Sequence, residues 1–135
     1  MRILRSLPVI GLVVLTGWAI SGLAAETTGT EPPRFCLPLN IIDSVDIIDE
    51  QHIAFITKTD DYYLNELPNV CPMLNHHRAI MYSTPLNSLC SLDIITVLDS
   101  TGGGFQSMGS CGLGKFQPVT REDIQILKDK KSSSE

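Results

Sequence analysis

Four cysteines, Cys36, Cys71, Cys90 and Cys111, most tightly limit what this 135-residue chain can fold into, and the segment ahead of them gives them their meaning. Arg2 and Arg5 precede an apolar run from Leu7 to Ile20, and Ser21-Gly22-Leu23-Ala24-Ala25 supplies the small residues that signal peptidase needs near its cleavage site. Residues 1–25 therefore read as a cleavable signal peptide. The run is short for a membrane anchor, which needs roughly 20 apolar residues. An exported chain matures where disulfides persist, so an even cysteine count reads as two bridges rather than cytosolic metal or redox chemistry. No cysteine stands at the cleavage boundary to accept a lipid. The expected product is a soluble periplasmic or secreted protein, not embedded in the membrane.

Cleavage leaves about 110 residues, enough for one hydrophobic core and one domain. Residues 26–34 read as a flexible polar linker, 35–130 as a single disulfide-stapled domain, and the serine-rich 131–135 as a disordered tail. Removing the leader leaves eight basic against fifteen acidic residues, a formal charge of −7. Nucleic acid and anionic lipid need clustered Lys and Arg, which here gather only at Lys128, Lys130 and Lys131, so both are poor partners.

The pattern within the domain is that of short strands. Val45-Asp46-Ile47-Ile48 and Ile53-Ala54-Phe55-Ile56-Thr57 flank the polar turn Asp49-Glu50-Gln51-His52 and read as a hairpin. Lys58-Thr59-Asp60-Asp61 is a second turn, leading into Tyr62-Tyr63-Leu64. Arg78 to Ser83 and Leu92 to Leu98 complete the strand candidates, the latter apolar on both faces and so expected in a central, buried place. Gly102-Gly103-Gly104 and Gly109 to Gly114 suggest sharp reversals around a flexible segment. Thr120 can cap a short terminal helix running to about Lys130, with Val119 packed on Ile124 as a staple. The fold class is mainly β: a small antiparallel barrel or sandwich of about five to seven strands with a C-terminal helix.

Four cysteines permit three pairings, and sequence leaves all three open. Loop closure favours Cys71 with Cys90, across the strand from Arg78 to Ser83, and Cys36 with Cys111, tying the entry segment to the last turn. Each closure contributes about 2 to 4 kcal/mol, a large share of the stability of a domain with so small a core.

Candidate chemistry is sparse. Met73, His76 and His77, with Met81 nearby, combine thioether sulfur with imidazole, donors that suit copper, although adjacent histidines on an extended chain point to opposite faces. The bland reading makes His76 and His77 solvated and Met73 and Met81 core fillers. Gly109-Ser110-Cys111-Gly112 lacks the spacing and strand-to-helix context of a nucleophile elbow. Asp43, Asp46 and Asp49, or Asp60 with Asp61, could act as an acid and base only if burial split their pKa values. The glycine runs lack the Lys-Ser/Thr ending of a phosphate loop. Phe55, Tyr62, Tyr63 and Tyr82 suit a core or the lining of a ligand groove. No catalytic constellation and no cofactor motif emerge.

Three motifs, Cys71-Pro72-x-Leu74, Leu89-Cys90-x-x-Asp93-x-Ile95-x-Val97 and Cys111-x-Leu113-Gly114-Lys115-Phe116-x-Pro118-Val119, resemble those of a family of short secreted proteobacterial proteins classed as a domain of unknown function. The likeness runs from Cys36 to Leu127 and implies a bacterial envelope protein with a cysteine-bearing, β-rich domain. That family has glycine at the place of Met73 and no fixed His-His pair, so copper ligands would be peculiar to this chain. The expected function is a non-enzymatic binding or interaction module for a protein or small ligand of the envelope, inhibition of a hydrolase such as lysozyme being one form. The alternative is a periplasmic copper-binding or copper-sensing protein using the segment from Cys71 to Met81.

Overall fold

A computed structural model describes residues 31–75 and 77–134. The segment read as a signal peptide (1–25), residues 26–30 of the expected linker, His76 and Glu135 lie outside the described residues. Among the described residues, nine strands and one α-helix follow in order: β1 (Cys36–Pro38), β2 (Ile42–Ile47), β3 (His52–Thr57), β4 (Tyr62–Glu66), β5 (Ala79–Tyr82), β6 (Ser88–Cys90), β7 (Ile94–Asp99), β8 (Gln106–Gly112), β9 (Phe116–Val119) and α1 (Arg121–Ser132), with a 3-10 turn at Leu39–Ile41 between β1 and β2. They form a four-stranded sheet in the order β2-β3-β4-β9, a three-stranded sheet β5-β7-β8 and a two-stranded ribbon β1-β6. Every pairing is antiparallel.

The two hairpins of the large sheet arise where the sequence places polar turns. Asp49 Oδ1 accepts the backbone N–H of Gln51 at 2.7 Å and of His52 at 2.8 Å, closing the β2–β3 turn as aspartate commonly does. Its carboxylate also contacts His52 Nδ1 at 2.9 Å. Burial alone would raise the Asp49 carboxyl, but the Gln51 N–H and the His52 ring outweigh it and hold it below its ordinary 3.8. The β3–β4 turn puts Asp60 at φ +62°, a left-handed conformation that aspartate tolerates better than most residues.

Strand β3 is the centre of the molecule. Alternation sends Ile53 and Phe55 to one face and Ala54 to the other, and all three are fully buried. On the first face they meet Ile95 and Val97 of β7, Leu37 of β1, Leu89 of β6 and Phe116 of β9 in the main core. The Phe55 and Phe116 rings stand edge to face with centroids 5.3 Å apart. On the second face Ala54 and Ile48 meet Ile124 of α1, flanked by Tyr62, Leu64, Val119 and Leu127. The layers are therefore helix, four-stranded sheet, three-stranded sheet: a sandwich with a helix on its back, not a closed barrel.

The helix begins where the sequence places it. Thr120 Oγ1 accepts the Asp123 N–H at 3.2 Å, and Asp123 Oδ2 accepts the Thr120 N–H at 2.9 Å, a complete capping box. Val119 and Ile124 share one cluster, as a staple requires. Lys128 pairs with Asp46 of β2, and Lys131 Nζ donates to Ile48 O at 3.3 Å, fastening the last turns to the sheet. Thr120→Ala is expected to cost about 1 kcal/mol in urea denaturation; an unchanged midpoint would contradict the box.

Several expectations need correction. The strand count exceeds five to seven because β1 and β6 are only three residues each, too short to leave a pattern. Residues 106–112, read as part of a flexible glycine segment, form strand β8. Gly102 (φ +98°) and Gly103 (φ +87°) make the reversal, and Gly109 (φ +142°) lies beside a register shift in the β7–β8 ladder. The ordered ladder starts at Arg34, whose N–H and C=O exchange hydrogen bonds with Phe116 at 2.8 and 2.9 Å, and α1 reaches Ser132 instead of stopping near Lys130.

The cysteine pairing is corrected too: the bridges are Cys36–Cys90 and Cys71–Cys111, not Cys71–Cys90 and Cys36–Cys111. Cys36 stands directly opposite Cys90 in the β1–β6 ribbon. The flanking hydrogen bonds, Ser91 N–H to Phe35 O and Leu39 N–H to Asn87 O, make it a non-hydrogen-bonded pair, where facing side chains lie closest. Doubling a loop costs only about 0.6 kcal/mol, so loop length is too weak to compete with strand register in choosing partners.

Candidate functional site: an uncharged sheet face

From Ala79 to Gly114, 36 consecutive residues, the chain carries only two charges, Asp93 and Asp99. Both are engaged internally. Asp93 Oδ2 accepts the Cys90 N–H at 2.7 Å and holds the turn before β7. Asp99 accepts the N–H and O–H of Thr101, each at 2.9 Å, bonds that keep its carboxyl below the ordinary range, and it faces Arg78 Nη1 at 3.5 Å. This stretch contains the entire three-stranded sheet and β6. Apart from Arg78, the other charges sit on the four-stranded sheet, its turns, α1 and the flanking segments.

Alternation divides the three-stranded sheet cleanly. Ile95 and Val97 of β7 are fully buried against the main core, with Ile80 and Tyr82 of β5 beside them. Met81 and Thr96, directly paired, turn outward, with Ile94 beyond them, and Thr96 Oγ1 lies 3.3 Å from Ser110 Oγ of β8. Ile94 is 63 % exposed and Met81 53 %. The expectation that β7 is buried on both faces is thus corrected: α1 covers the back of the other sheet, and among the described residues nothing covers this face.

Two tips extend the apolar strip. Phe105 is exposed just before β8 at one end. At the other, Leu92 is 83 % exposed and sits at φ +79°, held by its N–H on Leu113 O at 3.0 Å. An exposed leucine in left-handed backbone is unfavourable twice over, by steric strain of order 1 to 3 kcal/mol and by its hydrated apolar surface. A contiguous apolar face without charge, interleaved with small hydroxyls, has the composition of a protein–protein interface core.

The sequence candidates are dispersed. Met73 packs against the main core, and a Cβ placed on Gly109 would fall 2.5 Å from its terminal methyl, so it lies on the inner side of β8. Met81 lies on the outer face, His77 is exposed, and its N–H donates to Asn75 Oδ1 at 3.0 Å. Cys71 and Cys111 are committed to their bridge. Among the described residues no three His, Cys, Asp or Glu side chains converge as a metal cage. Asp46 is paired with Lys128 and Asp49 with His52, while Asp60 and Asp61 are exposed turn residues. Phe55 and Tyr63 are core, with Arg34 stacked over the Tyr63 ring at 5.3 Å. The legible signal for the face is not a motif but the near-absence of charge between Arg78 and Lys115, where only Asp93 and Asp99 are ionisable acids.

Comparison with protein-family models, curated proteins and solved structures finds no match.

Proposed function

We propose that this chain is an exported bacterial interaction module that binds another protein of the cell envelope through the outward face of β5-β7-β8. The carrying observation is the bare, uncharged face itself, with Met81 and Ile94 exposed on strands whose other side is core. A lipid surface suits it less. No Lys or Arg lies between Ala79 and Gly114 to hold a headgroup, and the mature chain is acidic. The two bridges and the signal-like leader support an oxidising, periplasmic or secreted setting. Hydrolase inhibition would be one form of this binding. The copper reading gains nothing from the geometry, since Met73 faces inward and Met81 outward.

The test is capture from a crosslinked envelope extract with wild type and with an Ile94→Lys, Met81→Lys double variant. Placing two ammonium groups in an apolar contact is expected to reduce the recovered partner at least tenfold while the circular dichroism spectrum stays native. Equal recovery by the variant would remove the face from the binding site.

A further inference from the structure

Sheet edges are open templates for pairing, and natural proteins blunt them. Here the register shifts beside Asp43 in β2, which also carries Asp46. Strand β9 contains Pro118 and is bridged at one end by Arg34. Strand β8 pairs with β7 through a register shift beside Gly109. Strands β1 and β6 are three residues long, and β1 ends in Pro38. Strand β5, Ala79-Ile80-Met81-Tyr82, has none of these protections: no charge, no proline, no glycine and an unbroken register with β7.

That edge opens on a groove. Between β5 and β2, themselves the edges of two different sheets, lies a cavity of about 420 Å³. Ile80 and Tyr82 form one wall, Ile42 and Val45 the other, all partly exposed and packed on the main core. At the start of β5, Arg78 lines the same cavity. Its Nη1 is buried without a hydrogen-bond acceptor, Asp99 standing 3.5 Å away. Nη1 is thus taken up by the ion pair with Asp99, while the rest of the Arg78 side chain, 21 % exposed, is the one cationic group among the residues lining the cavity.

We propose that β5 accepts an added strand: an extended segment of another protein, hydrogen-bonded along Ala79–Tyr82, with alternate apolar side chains on the Ile42, Val45, Ile80 and Tyr82 wall and one carboxylate on Arg78. Such strand addition takes affinity from main-chain bonds and specificity from the pockets for alternate side chains. Four residues of edge span about 13 Å, so the recognised core is roughly four to six residues long. Asp43 and Asp46 on the opposite wall disfavour acidic groups anywhere but at Arg78. The groove is separate from the outward face, since Ile94 does not line it.

The probe is a library of random decapeptides displayed on phage, selected against the mature, oxidised protein. Selected peptides are then synthesised and their binding measured by fluorescence anisotropy and by amide hydrogen exchange. Expected are alternating apolar peptides with one acidic residue that slow exchange at Ala79–Tyr82 and lose at least tenfold affinity in Arg78→Gln. Ile94→Lys should leave their affinity unchanged, which separates this site from the face. A selection without binders, or binders that leave β5 exchange unaltered, would overturn the proposal. So would peptides indifferent to both Arg78→Gln and Arg78→Ala in variants that retain a native spectrum.

Discussion

Replacing Cys71 and Cys111 together by alanine is expected to destabilise the domain by about 4 kcal/mol, the chain-entropy cost of releasing a loop of roughly 40 residues. The two cysteines are 40 positions apart. One end of this bridge is anchored in the large sheet's neighbourhood, where the Cys71 N–H donates to Glu50 O in the β2–β3 turn at 2.7 Å. The other end is on β8 of the small sheet. The bridge therefore holds together the two layers whose contact is the main core, and Cys71 is itself fully buried there. Domains of this size have total stabilities of about 5 to 15 kcal/mol, so the loss is a large part of the whole. Cys36–Cys90 spans 54 positions. Chain entropy acts on the unfolded chain, so the Cys36→Ala, Cys90→Ala pair should lose a similar amount, about 4 kcal/mol. Urea denaturation under oxidising conditions measures both, and a loss below about 1 kcal/mol for Cys71→Ala, Cys111→Ala would contradict this role.

The second large effect is at Asn65, a fully buried polar side chain in β4. Its Nδ2 donates to Gly114 O and its Oδ1 accepts the Gly114 N–H, both at 2.8 Å. The amide thus plays the part of a strand partner for a segment, 113–115, that has left the ladder between β8 and β9. Asn65→Leu keeps the volume and orphans the N–H and C=O of half-buried Gly114, at about 1 to 2 kcal/mol each, so a loss of roughly 2 to 4 kcal/mol is expected. Asn65→Asp keeps the acceptor and loses the donor, and should be as harmful because it also buries a charge. Gly114 is fixed from its own side as well: a Cβ there would overlap the Glu66 carbonyl oxygen. Gly114→Ala must therefore push β4 and the 113–115 segment apart, and the two substitutions should fail to add, since each breaks the same contact. Thermal and urea melts of the single and double variants check this, an Asn65→Leu loss under about 1 kcal/mol being the contradictory result.

What the sequence made legible follows from where its signals are local. The β2–β3–β4 hairpins and the Thr120 cap rest on turn and capping residues within four positions of one another, and they form as read. What it hid was non-local. Ile53-Ala54-Phe55-Ile56 and Ile94-Ile95-Thr96-Val97 are nearly the same pattern, yet α1 covers the back of the first and nothing among the described residues covers that of the second. Periodicity cannot say which sheet a helix at the far end of the chain will lie on, so a run apolar on both faces does not distinguish a strand buried on one face from one buried on two. The disulfide pairing was hidden for the same reason: it follows from the register of two three-residue strands that carry no pattern of their own. The candidate face left a signal that motif-based reading overlooks, the near-absence of charge over 36 residues of an otherwise acidic chain. Charge depletion is visible without any structure. Only the alternation of buried and exposed positions turns it into a surface.

The most direct measurement is site-specific photocrosslinking in living cells, with a photoreactive residue at Ile94 on the bare face or at Ile126 on α1. Both positions are 63 % exposed, so they differ in location and not in access. The proposed interaction predicts a discrete higher-mass adduct from Ile94 and none from Ile126. Adducts of equal yield from both positions, or from Ile126 alone, would contradict it.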